Sequence, residues 1–135
     1  MNKVTKEQRD FWDTIKYSPV YVQDIRNNTD FLAAIELARK LGQDTIPPID
    51  RFIPTLVDKY LAKKGFNLYS YAEDIKSACV YQCYVCLPKF NTNKSANPFA
   101  YLYTVISGAA FNYIGKENRQ MRIKQDLERE TWDDV

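Results

Sequence analysis

The segment from Asn97 to Lys124 commits this chain to helical architecture. Asparagine is a favoured helix N-cap, and proline is tolerated at the first helical position because its missing N–H would be unpaired there anyway. Asn97-Pro98 is therefore a helix start. Behind it Phe99, Leu102, Val105, Ile106, Ala109, Ala110, Tyr113 and Ile114 recur at helical spacing and predict one apolar face. Gly108 sits mid-helix, which costs about 1 kcal/mol relative to Ala, and close helix packing is its expected reason. From Gly115 the helix continues or restarts into a charged segment.

The rest of the chain reads the same way. Four glycines and six prolines mostly punctuate periodic segments, which favours long helices over many short strands. Thr5–Lys16 is a short helix with Phe11, Trp12 and Ile15 on its apolar face, ended by Ser18-Pro19. A second runs over Asp30–Leu41, capped by Asn28 or Thr29 and closed by Gly42. A third runs from Ile49 or Asp50 to Lys64, with Pro54 in its first turns. Ser70 caps a fourth, with Glu73 completing a capping box, and Pro88 stops it near Leu87. Phe90 to Ala96 is a polar loop. The 135 residues fit one domain, all-α with about five helices, large enough to bury a core without metals or disulfides. Within it, 1–47 holds N-terminal helices packing on the core, 48–125 the main unit, and 126–135 an acidic tail.

Composition narrows the chemistry. There is no histidine, which removes the commonest general base and metal ligand, and with them Ser/His/Asp triads and Cys/His dyads. No catalytic residue, cofactor or metal is expected. Cys79, Cys83 and Cys86 fall at i, i+4, i+7 on one helix face. Cys83 and Cys86 have the C-x-x-C spacing, but the core reading is preferred to a metal or redox one. No apolar run approaches the roughly 20 residues that span a bilayer, and the N-terminus has no signal core. No membrane partner and a cytoplasmic location are the expectation.

Net charge is only +2, so a nucleic-acid surface must come from local clustering. The Asn97–Lys124 segment has that clustering. Aromatic rings beside cations suit unstacked bases and phosphates. Lys116, Arg119, Arg122 and Lys124 outnumber Glu117 in the basic run. The competing reading is a solvated helix face with i, i+4 pairs such as Arg122 with Asp126, and core aromatics.

Two motifs weigh against that bland reading. Asp74 to Asn91 has an Asp, a helix and a Lys89-Phe90-Asn91 ending, and resembles the polymerase-binding helix of region two in bacterial sigma factors. Ala100-Tyr-Leu-Tyr-Thr-Val-Ile-Ser-Gly-Ala-Ala-Phe-Asn-Tyr-Ile114 is similar to the following helix in small sigma factors. The Phe66-Asn67 connector, the Asn97-Pro98-x-Ala100-Tyr101 start and the basic run bring the chain nearest to the late-transcription sigma factors of T-even-like bacteriophages. The resemblance covers about Ile49 to Gln125 well and Val20 to Leu41 loosely. Asn91 stands where an Asp is usual, and Val105 and Ser107 where basic residues are common. A helix-turn-helix domain is not expected within these 135 residues.

The resemblance implies a factor that directs bacterial core RNA polymerase, in the host cytoplasm, to late phage promoters by recognising and melting an AT-rich upstream element. The clamp helices of the largest subunit would meet Asp74, Lys76, Ser77, Val80, Gln82, Tyr84 and Lys89. Promoter DNA would meet Asn91, Asn93, Lys94, Tyr101, Tyr103 and Asn112, with Lys116, Arg119, Arg122 and Lys124 on duplex backbone. A phage sliding clamp and a late co-activator are further implied partners, the clamp through Leu127 and Trp132; an acidic, disordered end is the alternative for that tail. The protein would not be an enzyme. The second reading is a helical polymerase-binding adaptor, an anti-sigma or co-activator, without DNA readout. A carboxylate-dependent metal nuclease comes third.

Overall fold

The computed structural model describes residues 5, 6, 9, 10 and 19–133; the side chains of Pro19 and 131–133 fall outside the description. Among the described residues there are five α-helices and no strand. They are α1 (Pro19–Val22), α2 (Asn28–Lys40), α3 (Pro47–Lys64), α4 (Ala72–Cys86) and α5 (Pro98–Asp133). Turns of 3-10 helix lie at Phe66–Leu68 and Leu87–Lys89. The expected helix Thr5–Lys16, with Phe11, Trp12 and Ile15, lies almost wholly outside the described residues. Arg9 N–H does donate to the Thr5 carbonyl at 3.0 Å. The single turn α1 starts at Pro19, where that helix was expected to have ended.

Helix ends follow local chemistry, with three corrections. In α2 the N-cap is Asn27, whose Oδ1 accepts from Asp30 N–H at 2.8 Å; neither Asn28 nor Thr29 caps it. Its C-terminus closes as expected. Gly42 at φ +67 lets its own N–H reach Arg39 and that of Gln43 reach Ala38. The second correction is α3, which starts at Pro47, because Pro47 and Pro48 can occupy the first helical positions. Pro54 therefore lies inside the helix rather than in its first turn, and cannot donate to the Asp50 carbonyl. Third, Ser70 does not cap α4. Tyr71 precedes the helix with no side-chain cap, and backbone bonds from Ala72 to Tyr69 and from Asp74 to Tyr71, both 3.1 Å, make the turn. The Asn97-Pro98 start holds: Asn97 Oδ1 accepts from Ala100 N–H at 3.0 Å.

The helices enclose one apolar core. Helices α4 and α5 run antiparallel, with Cys86 near Tyr101, Cys79 near Ile106 and Tyr71 near Tyr113. Ile75, Cys79 and Cys83 of α4 are buried with Leu102, Ile106 and Ala110 of α5. Ile49, Ile53 and Val57 of α3 and Phe31, Ile35 and Ala38 of α2 close the cluster. Each fully buried Ile, Leu or Phe contributes about 1.5–3 kcal/mol. Phe31 of α2 stacks on Phe99 of α5 at 5.7 Å, and Phe52 of α3 joins both at 5.2 Å. The segment up to residue 47 thus shares this core through α2. Among the described residues no polar or charged residue is buried.

Two features of α5 differ from expectation. A Cβ built on Gly108 meets nothing within 4 Å, so close packing does not explain that glycine. Of the two expectations at Gly115 the helix takes the first and continues; it also crosses the expected 125/126 boundary and runs to Asp133, where the acidic end was expected to be a docking peptide or disordered. Its 36 residues span about 54 Å.

Candidate functional site

The loop between α4 and α5 is shaped by its own side chains. Asn91 Oδ1 accepts from Asn93 N–H at 2.9 Å, and the Asn91 carbonyl accepts from Lys94 and Ser95 N–H. Ser95 Oγ accepts from Asn97 N–H at 3.1 Å. Asn-rich segments make such turns because the carboxamide mimics a backbone group. These bonds leave Asn93, Lys94 and Ser95 exposed at the tip. Asn91, expected to read DNA, spends one side-chain oxygen on shaping the turn.

Tyr101 and Tyr103, expected to stack bases together, lie about 200° apart around α5. Tyr101 is half-buried; its hydroxyl donates to the Cys86 carbonyl at 2.8 Å and its ring packs on Phe90 at 5.1 Å. Burial, then Cys86, raises its pKa. It braces the base of the loop. Tyr103 points to the α3 side, with its ring 5.9 Å from Tyr60. There it joins an aromatic face that sequence reasoning did not assemble. Phe66 contacts Phe111 at 5.5 Å and Tyr69 at 6.2 Å. Tyr69, Tyr103, Phe111 and Leu68 are all exposed. The missed signal was Phe111, which falls outside the apolar stripe of its own helix.

Asn112 and Lys116 are brought together with α4 residues. A groove of about 430 Å³ runs between α4 and α5. Ala78, Val105, Gly108 and Ala109 are its small walls, Tyr81 an aromatic one, and Gln82, Asn112 and Lys116 its polar groups. Paired carboxamides beside a ring can hydrogen-bond and stack a planar base, and a lysine can meet its phosphate. Gly108 lines it without a side chain, and a Cβ there would meet nothing within 4 Å. Gln82, expected to face polymerase, is half-buried and lines this groove.

The other residues expected to bind polymerase divide by helical phase. Asp74, Ser77 and Lys89 are exposed. Lys76 Nζ pairs with Asp58 of α3 at 2.9 Å. Tyr84 donates to Asp50 at 2.7 Å, and desolvation together with that bond raises its pKa. Val80 is half-buried, on that α3-facing side. The outward stripe is Asp74, Ser77, Tyr81 and Val85, with Tyr81 65% exposed. Tyr81 and Val85 were missed, although i, i+4 spacing from Ser77 and opposition to Cys79 and Cys83 point to them. Asp74 also reaches the start of the α4–α5 seam. Tyr113 there has its pKa raised first by burial, then by Asp74 and Glu117.

Beyond Ile114 no described side chain of α5 is buried. Lys116, Arg119, Arg122 and Lys124 project from this rod, followed by an acidic stretch containing Leu127, which is exposed. Trp132 has a helical backbone, and its side chain falls outside the description.

At Cys79 and Cys83 thiolate chemistry is suppressed. Burial lifts Cys79 to about 11 and Cys83 to about 12, and Cys79 Sγ donates to the Ile106 carbonyl. Among the described residues no His, Cys, Asp and Glu cluster could hold a metal ion. No described helix is long and apolar enough to cross a membrane. The chain matches no protein-family model, no curated protein and no solved structure.

Proposed function

We propose that this protein is a sigma-like transcription initiation factor that binds bacterial core RNA polymerase and helps open promoter DNA at an AT-rich upstream element. The observation that carries the reading is a pair of adjoining surfaces on one antiparallel helix pair, which meet at Tyr81. The outer face of α4 is exposed at Asp74, Ser77, Tyr81 and Val85 and suits a helical partner. The loop tip, the α4–α5 groove and the basic residues of α5 make up the second.

Each part has a physical task. Asn93, Lys94, Gln82 and Asn112 supply hydrogen-bonding groups for base edges. Base–aromatic stacking contributes about 1–3 kcal/mol per base, against a few kcal/mol for unstacking. Tyr81 supplies the ring at the groove. Lys116, Arg119, Arg122 and Lys124 supply phosphate contacts, which make affinity fall with salt. The polymerase performs the chemistry, and this chain is not the enzyme. A sliding clamp at the end of α5 and a late co-activator are further partners in this reading.

One observation favours a second reading. Tyr101 is committed to the loop base and Tyr103 to the α3 side, so fewer rings face the DNA surface than the sequence suggested. The apolar Tyr81 and Val85 remain suited to a protein. This fits an adaptor that binds polymerase without reading DNA. Reconstituted runoff transcription with core polymerase decides between them. A sigma-like factor gives promoter-specific initiation that core alone lacks; binding to core with no such gain overturns the first reading and leaves the adaptor.

A further inference from the structure

Helix α2 lies where the family resemblance is loose and contributed no expected site residue. It nevertheless holds both ends of the loop. At the loop's beginning, Arg39 Nη2 donates to the Phe90 carbonyl, 51 residues away in sequence. At its far end, Asn28 Oδ1 accepts from Phe99 N–H at 3.1 Å, 71 residues away. Asn28 thus satisfies one of the orphan amide donors of the first turn of α5, while Asn97 satisfies the next through Ala100. Phe31, between the two on α2, stacks on Phe99.

The spacing is set by a rigid element. Eleven residues of helix separate Asn28 from Arg39, about 16 Å of axis. The two anchors therefore hold the loop ends at a fixed span, and the Asn91, Ser95 and Asn97 bonds then determine the path between them. Neither anchor is needed to close α2 itself. Asn27 caps it, and Gly42 ends it.

We propose that α2 is a brace for the DNA-contacting loop, and that Asn28 and Arg39 are positioning residues for base recognition. The proposal rests on the reading of the loop as a DNA surface. A preformed loop binds without the ordering cost a slack one bears. Loosening its ends should weaken recognition while leaving the α4 outer face intact.

The test uses the full chain assembled with core polymerase and forked DNA carrying a single-stranded AT-rich element. Asn28→Ala combined with Arg39→Ala should keep core affinity within about twofold and weaken fork binding roughly tenfold. Amide exchange should rise at residues 91–100. The salt dependence distinguishes bracing from direct contact. Each lost phosphate contact lowers the slope of log affinity against log salt by about 1, whereas a brace changes affinity at unchanged slope. Asn28→Asp keeps the acceptor and Arg39→Lys keeps the charge; both single variants should retain folding, and Asn28→Asp should retain the slow exchange at Phe99. Unchanged fork affinity in the double variant, or a slope lowered by one, overturns the brace. If the wild-type complex fails to bind the fork at all, the DNA reading falls, and the brace falls with it.

Discussion

The two halves of α5 have the same backbone and opposite surroundings. From Pro98 to Ile114, a side chain turns into the core at Leu102, Ile106, Ala110 and Ile114. From Gly115 to Glu130 none does. Most helical stability in proteins comes from tertiary packing, so the first half is held by packing and the second by propensity and continuity with the first. The difference separates two jobs within one element. The packed half fixes the groove and the loop base against α4. The projecting half can make or lose contacts with a partner at little cost to the fold.

Substitutions test that contrast, beginning with the largest effect. Ile106→Ala empties a fully buried site over Cys79 and should destabilise by about 2–5 kcal/mol in urea unfolding. Met121→Ala, on the projecting half, should stay within about 0.5 kcal/mol. Comparable losses would mean that the projecting half packs on something. Next, Asn97→Ala removes the cap of the packed half and should cost about 1 kcal/mol, with faster amide exchange at Ala100.

Two smaller effects sharpen the contrast. Gly108→Ala and Gly115→Ala have room for the added methyl, so each should raise stability by up to about 1 kcal/mol. Gly108→Ala should at the same time weaken fork binding by narrowing the groove, whereas Gly115→Ala should leave it unaltered; equal behaviour of the two would remove the groove from the DNA surface. The smallest effect concerns pH. Cys79 and Cys83 have folded pKa values of about 11 and 12 against an ordinary 9.0. The stabilisation from neutral thiols is complete below about pH 9 and is lost as pH climbs towards 11 and 12. The urea midpoint should fall over that range, and less steeply in Cys79→Ala with Cys83→Ala. An identical slope in that variant would place the alkaline sensitivity elsewhere.

Much of the fold was legible because it is local. Asn97, Pro98 and Gly42 act within one turn of their own positions, so their roles follow from side-chain chemistry. The apolar spacing of α5 placed its core face at Leu102, Ile106, Ala110 and Ile114 for the same reason. Where the reading failed, a distant group competed. Asn28, with Thr29 one of two candidate caps for α2, instead accepts from Phe99 N–H, and the backbone turn at Tyr69–Tyr71 displaces Ser70 as the start of α4. Lys76 and Tyr84 look outward on their own helix until Asp58 and Asp50 of α3 claim them.

By itself, then, the amino-acid sequence determined that this chain is helical, where most helices begin and end, and which residues are apolar enough to be core. Those depend on backbone sterics, capping and periodicity, which act over a few residues. Only the tertiary structure decided which aromatic rings remain exposed. Tyrosine is apolar along its ring and polar at its tip, so it suits a core edge and a binding surface equally. Tyr101 and Tyr81 differ in surroundings because the Cys86 carbonyl meets the hydroxyl of the first, while the second stays 65% exposed.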